Sequence, residues 1–238
     1  MKPPMKPQEE KQPGFDQYAR DYAALIQHPI RDRFASNRFF FERKIDLIRR
    51  FFERADVPTK KLDWLDIGCG QGDLLRMGGA LFRSTAGCDP SLEMLKSCQD
   101  LQVRHQNSMD TLPFEDASFD FVTAVCVYHH VAADRRHVLT TEARRVLKPD
   151  GVLCIIEHNP KNPITKLIVA QTPLDADGDL LSAKQMGRIL MRAGCSVLET
   201  QFFLLFPQLL QRITRPLEHA LSAFPLGGQY AIFSRPRV

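Results

Sequence analysis

The feature that most constrains the fold of this 238-residue chain is the segment LDIGCGQGDLL at residues 65–75. An apolar run ends at Ile67, Gly68, Gly70 and Gly72 follow at alternate positions, and a second apolar run begins after them. This pattern predicts a buried parallel strand, a tight turn that brings bare backbone against a ligand, and a helix whose first amides face that ligand. We therefore expect a nucleotide-type cofactor at the carboxyl end of this strand.

Acidic residues around the loop indicate the chemistry of that cofactor. Asp73 stands where a dinucleotide fingerprint places its third glycine, so a pyrophosphate would be poorly accommodated. Asp66 would repel a phosphate but attract an ammonium or a sulfonium. Asp89 ends a second predicted strand at residues 84–89, from which a carboxylate can accept hydrogen bonds from both hydroxyls of a ribose. Together these acids favour a cationic ligand that has a ribose and no phosphate.

With these residues in place, the chain resembles the class I S-adenosylmethionine-dependent methyltransferases, of the small-molecule type with a domain like methyltransferase domain 11. LDIGCGQG resembles their first motif, CDPSLEML their ribose-binding motif, TLPFEDASFDFV their third-to-fourth region and LKPDGVL the turn into their fifth strand. The resemblance implies S-adenosylmethionine as cofactor. It also implies an α/β fold, a Rossmann-like, doubly wound sheet of seven mainly parallel strands with the last antiparallel, preceded by N-terminal cover helices. EHNPKNPITKLIV and PLGGQYAIFSRP are similar to a bacterial subgroup associated with small-molecule or surface-glycan and lipid modification.

The same resemblance assigns cofactor contacts to individual residues. Family members commonly place an acid before the LPF segment to bind the adenine amino group, and here Ser108 stands in that place, followed by Met109. A serine can still accept that hydrogen bond, but without charge. Tyr18 and Tyr22 are either aromatic residues of the cover helix, whose faces suit a sulfonium, or helix-packing residues. The predicted cofactor site consists of Asp66, Gly68, Cys69, Gly70, Gly72, Asp89, Pro90, Ser108, Met109, Tyr18 and Tyr22.

Histidines follow two of the predicted strands and are the candidate catalytic residues. His129 and His130 come after a strand at 119–126, and His158 comes after a strand at 151–157. Both strand ends lie at the edge of the sheet where the reaction is expected. A base is required only if the acceptor is a hydroxyl or a protonated amine. His158 is the preferred base, and each histidine has a structural role as its alternative.

The length and composition of the chain indicate how many domains it has. With 44% hydrophobic and 25% charged residues, it has enough apolar residues for one large α/β domain. We predict a disordered leader at residues 1–14 and one methyltransferase domain at 15–238. Within this domain, cover helices occupy 15–58, the cofactor-binding core 59–158, and the acceptor-side segment 159–238. The cover helices are predicted at 15–22 and 33–54, and the second has an apolar stripe formed by Phe34, Ile45, Ile48, Phe51 and Phe52.

Several features exclude classes of protein. The six cysteines form no C-x-x-C pair and have no histidine at zinc spacing, which favours a reducing cytoplasm and no metal site. The net charge of +4 comes from scattered Lys and Arg, which favours solvated helix faces over nucleic-acid binding. No run of eighteen apolar residues occurs, so we expect a soluble, cytoplasmic protein. Its oligomeric state is left open.

The last third of the chain has a looser pattern. Pro160 and Pro163 are expected to prevent a regular element. Residues 171–181, QTPLDADGDLL, are either a mobile loop over the acceptor pocket or a solvated linker. Residues 205–224 contain an amphipathic helix pattern, which indicates an insertion packed on the core, a substrate lid or a membrane-surface contact.

These observations predict transfer of a methyl group from S-adenosylmethionine to an O or N acceptor on a small molecule, with glycan or lipid precursors included. One alternative is a noncatalytic, S-adenosylmethionine-binding regulatory protein that retains the fold. A second is a nucleic-acid methyltransferase, but VYHHV at 127–131 stands where the Asn/Asp-Pro-Pro-aromatic motif for flipped bases would occur.

Overall fold

Seven strands form a single sheet in the computed structural model, which describes residues 15–21, 25, 29–108 and 110–237. The strand order is β3-β2-β1-β4-β5-β7-β6, and all neighbouring pairs are parallel except those of β7, which runs antiparallel to β5 and β6. This arrangement confirms the predicted doubly wound sheet with an antiparallel last strand. The strands are β1 (Asp63–Ile67), β2 (Ser84–Asp89), β3 (Val103–His105), β4 (Phe119–Val125), β5 (Leu147–His158), β6 (Cys195–Phe203) and β7 (Gln229–Pro236).

Helices connect the strands and precede them. Short 3-10 turns lie at Phe15–Tyr18, Thr59–Lys61, Gly79–Leu81, Lys96–Cys98 and Gln208–Leu210. The α-helices are α1 (Pro29–Phe34), α2 (Asn37–Arg54), α3 (Asp73–Gly78), α4 (Leu92–Leu95), α5 (Arg136–Val146), α6 (Pro163–Gln171), α7 (Ala183–Arg192) and α8 (Gln211–Ala220).

The sheet separates two apolar cores because side chains alternate between its faces. Leu65 and Val122 belong to the core that α5 and α7 cover, whereas their neighbours Trp64 and Phe121 belong to the core that α2 and α3 cover. Burial on both faces explains why these strands are almost continuously apolar.

Aromatic rings fill the core under α2. Phe51 stacks on Phe233 of β7, with ring centroids 4.0 Å apart, and Phe52 meets Phe121 edge-on at 5.0 Å. Phe51, Phe52 and Ile48 are buried along one face of α2, as the predicted apolar stripe requires. This stripe anchors α2 across β4 and β7.

The N-terminal helices are shorter than predicted. A single helix was expected at residues 33–54, but the helix is interrupted between Phe34 and Asn37. The Ser36 hydroxyl accepts a hydrogen bond from the Phe39 amide at 3.3 Å and caps α2. The helix expected at residues 15–22 is a 3-10 turn at Phe15–Tyr18, and residue 22 lies outside the described residues.

The expectation that prolines prevent a regular element after β5 was wrong. Pro163 is the first residue of α6, and the Asn162 side chain caps this helix by accepting a hydrogen bond from the Thr165 amide at 3.0 Å. Proline is favourable at this position because the first amides of a helix have no intrahelical acceptor and its φ is already helical.

The amphipathic helix α8 has its apolar face in solvent, so the interpretation of a core-packed insertion was wrong. Ile213 of α8 is 80% exposed and Leu209, in the turn that leads into the helix, is 90% exposed, whereas Glu218 is only 2% exposed. Glu218 accepts a hydrogen bond from Arg43 Nη2 of α2 at 2.8 Å, and Arg215 donates to Asp46 of α2 at 3.0 Å. Ion pairing with α2 therefore orients the helix and turns its leucines outward.

Among the residues that the structure describes, no helix combines the length and the apolarity that crossing a bilayer would need.

We expect the Glu218→Ala variant to lose about 2 kcal/mol of unfolding free energy, because the buried Arg43 guanidinium loses its buried partner and keeps only the partly exposed Asp46. Glu42→Ala is the matched control, since the Glu42–Arg38 pair is exposed and should change stability by less than about 1 kcal/mol. Urea unfolding followed by circular dichroism measures both. Equal effects of the two substitutions would contradict the role assigned to the buried pair.

Candidate cofactor and acceptor site

The glycine loop after β1 is shaped for close approach of a ligand. A Cβ atom at Gly68 would lie 2.5 Å from Val127 Cγ2, and one at Gly72 would lie 2.3 Å from Leu101 Cδ1. Both residues also have positive φ angles, of 67° and 80°, which non-glycine residues rarely adopt. Gly70 has no atom within 4 Å of its Cβ direction and lines a cavity. The loop thus requires glycine for packing at two positions and leaves open space at the third.

Asp89, at the end of β2, links the glycine loop to the next loop. Its Oδ2 accepts a hydrogen bond from the Gly70 amide at 2.8 Å, and its Oδ1 accepts one from the Ser91 amide at 2.8 Å. Asp89 and Pro90 both line the cavity, and burial raises the pKa of the Asp89 carboxyl. Each oxygen retains a lone pair, so the carboxylate can also accept hydrogen bonds from a diol.

Asp66 lies beneath the loop and does not line the cavity. Its carboxyl is 3% exposed and accepts a hydrogen bond from Thr123 Oγ1 at 2.6 Å, while Thr123 accepts one from Trp64 Nε1 at 2.8 Å. Burial raises the pKa of Asp66 to about 7, against the opposing effects of Thr123 and of the Lys44 charge. The proposed attraction of Asp66 for a cation therefore acts through the loop, and its strength depends on pH near neutrality.

The cavity measures about 320 Å³ and extends across the carboxyl ends of β1, β2, β4 and β5. On the β1–β2 side it is lined by Gly68, Gly70, Asp89, Pro90, Met94 and Gln106. On the β4–β5 side, it is lined by Cys126, His130, His158, Asp175 and Gln229. Apolar side chains of α1, α2, α6 and the following loop also line it: Phe34, Phe40, Phe41, Ile164, Ile168 and Leu174.

Lys44 and Gln229 are polar cavity residues that the sequence interpretation missed. Lys44, only 6% exposed, points its ammonium at the Phe41 ring at 4.9 Å and has no hydrogen-bond or ion-pair partner within the described ranges. Burial lowers its pKa, while Cys126 raises it. The buried Gln229 Oε1 also lacks a partner there. Both groups can therefore bind a ligand, and a lysine within the apolar segment FFFERKIDLI was the one available sequence signal.

Three histidines and two carboxylates meet at the β4–β5 end of the cavity. His129 is buried, with its Nδ1 2.7 Å from Glu157 Oε2 and its Nε2 3.3 Å from Asp175 Oδ1. His130 Nε2 lies 3.4 Å from Asp175 Oδ1, and His158 Nε2 lies 3.8 Å from Asp175 Oδ2. His130 and His158 line the cavity. The two strand ends therefore bring all three predicted histidines together, and Asp175 joins them.

The histidines of this cluster differ in charge. Burial opposes protonation of His129, but Glu157 and Asp175 outweigh it and raise the pKa of His129 well above its usual range. Burial lowers the pKa of His158 to about 4 and also lowers that of His130. His158 and His130 are thus neutral near pH 7, with a nitrogen lone pair that can accept a proton.

The segment at residues 171–181 packs against this cluster. Asp175 contacts the histidines, Leu174 lines the cavity, and Leu181 is buried and accepts a hydrogen bond from Tyr230 Oη at 2.9 Å through its carbonyl. The alternative of a solvated linker was therefore wrong. The segment has only a few apolar residues among its polar ones, so its sequence pattern did not indicate how much of it is buried.

Other predicted site residues lie away from the cavity. Cys69 is buried against Gly87, and Gly72 faces Leu101. The Ser108 hydroxyl accepts a hydrogen bond from the Asp110 amide at 3.1 Å, while the neighbouring Gln106 lines the cavity instead. Cys126, expected at the end of the strand at 119–126, instead follows β4 with a φ of 56° and does line the cavity. Met109 and Tyr22 lie outside the described residues.

The N-terminal turn docks near the glycine loop. Ser91 Oγ donates to Asp16 Oδ1 at 2.5 Å, and Gln71 Nε2 donates to the Ala19 carbonyl at 2.8 Å. Tyr18 is half-buried in this turn and does not line the cavity. The predicted position of the N-terminal segment beside the cofactor loop is therefore observed, whereas direct contact of Tyr18 with the cavity is not.

Comparison with known proteins identifies similar sequences and folds. Residues 65–155 match a family described as "Methyltransferase domain". The chain is 29% identical over 160 residues to the tRNA (carboxymethyluridine(34)-5-O)-methyltransferase of Arabidopsis thaliana, which covers 66% of the chain and 37% of that protein. It is 35% identical over 133 residues to the demethylmenaquinone methyltransferase of Lactobacillus johnsonii, which covers 50% of the chain and 53% of that protein. The chain thus spans well under two thirds of these relatives.

The fold also matches a solved structure along nearly its whole length. A SAM-dependent methyltransferase from Thermotoga maritima, described as a possible histamine N-methyltransferase, superposes with a TM-score of 0.67 at 17% identity. The match covers 94% of this chain and 98% of that chain. At this level of identity the similarity concerns the fold.

The raised pKa of Asp66 predicts a pH-dependent stability. An unfolded aspartate ionises near pH 4, whereas Asp66 keeps its proton to about pH 7 in the folded protein. Between these values the folded state binds the extra proton, so the unfolding free energy should fall as pH rises, by up to about 1.4 kcal/mol per pH unit. Above pH 7 this contribution should be constant.

Urea unfolding of the wild type and of Asp66→Asn at several pH values tests this expectation. The asparagine can still accept the Thr123 hydrogen bond but cannot ionise, so the stability difference between the two proteins should change from pH 4 to pH 7. Parallel pH profiles would mean that Asp66 is not the group responsible.

Proposed function

We propose that this chain, whose residues 65–155 match a methyltransferase domain, is a class I S-adenosylmethionine-dependent methyltransferase that transfers a methyl group to an oxygen or nitrogen of a small, largely apolar molecule. The observation that carries the proposal is that the glycine loop and Asp89 share one cavity with apolar side chains and neutral imidazoles. When bound, S-adenosylmethionine supplies an electrophilic methyl group on a sulfonium. The residues of the chain would bind the cofactor and the acceptor, orient them towards each other and exclude water.

The β1–β2 side of the cavity fits this cofactor in shape and charge. The open space at Gly70 admits the ligand against the backbone, and the carboxylate of Asp89 suits the two ribose hydroxyls. The buried ammonium of Lys44 suits the methionine carboxylate, and the Asp66 carboxylate beneath the loop favours the ammonium and sulfonium charges. A zwitterionic ligand with an additional cation is thus complementary to the groups present.

The β4–β5 side fits a mostly apolar acceptor with one polar group. Phe34, Phe40 and Ile168 supply apolar surface, and the buried Gln229 Oε1 can accept a hydrogen bond from an acceptor O–H or N–H. His158 and His130, neutral near pH 7, are the proposed proton acceptors for a hydroxyl or protonated amine. Positioning of the acceptor next to the methyl group lowers the activation barrier whether or not a base takes part.

The exposed apolar surface beside the cavity suggests where an apolar acceptor comes from. Ile164 lines the cavity and is also 55% exposed, and Phe224 and Leu226 are exposed in the loop that Asn162 holds against α6. Residues 205–224 contain further exposed leucines, and Arg212 and Lys166 are exposed in the same two segments. We propose that these apolar side chains act as one surface that contacts an anionic membrane holding the acceptor.

A tRNA acceptor is the second candidate, and the observation that favours it is the tRNA-modifying Arabidopsis relative. Transfer of a labelled methyl group to separate lipid, polar-metabolite and tRNA fractions distinguishes the two. Label in the lipid or metabolite fraction supports the proposal, whereas label in tRNA alone would refute it. Tight binding of S-adenosylmethionine without labelling of any fraction would favour a regulatory role.

We expect Asp89→Ala to reduce the affinity for S-adenosylmethionine at least tenfold, because charge-assisted hydrogen bonds contribute about 1.5–3 kcal/mol each. Asp73→Ala is the matched control, since Asp73 belongs to the same loop region but is exposed and does not line the cavity. Isothermal titration calorimetry measures both affinities. Equal affinity of wild type and Asp89→Ala would contradict the cofactor site.

For the membrane surface, we expect Leu209→Ser combined with Ile213→Ser to lower partition onto anionic phospholipid vesicles about tenfold or more, because both side chains are largely exposed. Val197→Ser combined with Leu198→Ser, which alters exposed apolar residues of β6, should leave partition unchanged. Sedimentation with the vesicles measures it. Similar losses in both double variants would argue against a specific surface.

A further inference from the structure

We propose that His129, His158 and Asp175 form a binding site for a divalent transition metal ion of the Zn²⁺ class. One donor atom of each residue lies within 4.8 Å of the other two. His129 Nε2 is 3.3 Å and His158 Nε2 is 3.8 Å from the Asp175 carboxylate. Ligand atoms at about 2.0–2.2 Å from a tetrahedral ion lie roughly 3.3–3.5 Å from one another. Small side-chain rotations would therefore suffice to close the site around an ion.

Glu157 orients His129 so that one ring nitrogen can bind a metal ion. Its Oε2 accepts the hydrogen bond of His129 Nδ1–H at 2.7 Å, which leaves Nε2 as the nitrogen available to a metal. Its Oε1 accepts a hydrogen bond from the Tyr128 amide at 2.7 Å, so the carboxylate itself is fixed. A carboxylate that orients the second nitrogen of a histidine ligand is the usual support of protein metal sites.

The charge of the cluster also suits a divalent cation. Glu157 is fully buried and Asp175 is mostly buried, and burial of carboxylates is costly unless nearby positive charge compensates for it. Without an ion, the proton held by His129 supplies part of that positive charge. Metal binding would release this proton, and a divalent ion would then balance the charge of about −2 on the two carboxylates. Two imidazole nitrogens favour Zn²⁺ or Co²⁺ over Mg²⁺, which prefers oxygen ligands.

The position of the site gives the ion a role in the acceptor half of the cavity. His158 and Asp175 line the cavity, so an ion there would have an open coordination position facing it. Three protein ligands with an open position are typical of catalytic metal sites. An acceptor hydroxyl bound at that position would have a lowered pKa, and His130 would be the remaining proton acceptor, because His158 would be a ligand of the ion. This consequence rests on the proposed methyl transfer, whereas binding of the ion does not.

The proposed site differs from the expectation, drawn from the cysteine and histidine spacing, that the chain has no metal site. The ligands come from the loop after β4, the end of β5 and the segment at residues 171–181, and they have no local spacing. Only the neighbouring positions of β4 and β5 in the sheet and the packing of this segment bring them together.

Calorimetric titration of the full-length, chelator-treated protein with Zn²⁺ tests the proposal. We expect one Zn²⁺ per chain and at least 100-fold weaker binding of Mg²⁺. His158→Gln and Asp175→Asn should each lower Zn²⁺ affinity at least about tenfold, because even second-layer partners of a metal contribute that much. His137→Gln, at an exposed position of α5, is the control and should bind Zn²⁺ like the wild type. The absorption spectrum of bound Co²⁺ should indicate nitrogen and oxygen ligands.

Titration of the same samples with S-adenosylmethionine separates this inference from the proposed function and reports folding. No Zn²⁺ binding by a wild type that binds S-adenosylmethionine would overturn the metal site alone. Unchanged Zn²⁺ affinity in both ligand variants, or thiolate bands in the Co²⁺ spectrum, would place the ion elsewhere and equally overturn it. Zn²⁺ binding without any binding of S-adenosylmethionine would instead contradict the proposed function.

Discussion

The reversal of strand order at β1 is the constraint on which the site depends. β2 and β3 lie on one side of β1, and β4 and β5 lie on the other, so the loops that leave β1 and β4 diverge and open a crevice. The site groups that follow the parallel strands, from Asp89 to His158, stand at this edge because parallel strands end together. The apolar cores on the two faces of the sheet hold that edge in place.

A chain of buried hydrogen bonds connects the core to the crevice. Trp64 Nε1 donates to Thr123 at 2.8 Å, and Thr123 donates to Asp66 at 2.6 Å, directly beneath the glycine loop. The same residues therefore fill the interior and determine the electrostatics of the loop. Lys44, which enters from α2, places a positive charge opposite this acid. The crevice thus has separated charges of both signs, which distinguishes it from a simple phosphate-binding loop.

Sequence predicted those parts of the molecule whose signals are local. The glycine loop, Asp89 and the two strands that precede them follow from spacing and periodicity within about thirty residues, because a βαβ unit is itself local. The seven-stranded, doubly wound sheet was expected from the family resemblance. Asp175, Lys44 and the orientation of α8 depend on contacts between distant segments. The Arg43–Glu218 pair, for example, joins residues 175 positions apart, and it outweighs the amphipathic pattern that favoured burial of the leucines. Pro163 was misinterpreted because its effect depends on its position within the helix.

The ion pairs between α2 and α8 have a thermodynamic consequence. α2 contacts α8 through Arg43 and Asp46, and it contributes Phe41 and Lys44 to the cavity one turn or less away. If contact of α8 with another surface displaces α2, the affinity of the cavity for its ligands changes by a coupling free energy. Linkage is reciprocal, so ligands in the cavity must then alter the affinity of α8 for that surface by the same factor. The helix pair would thereby couple ligand binding in the cavity to binding at the exposed surface of α8.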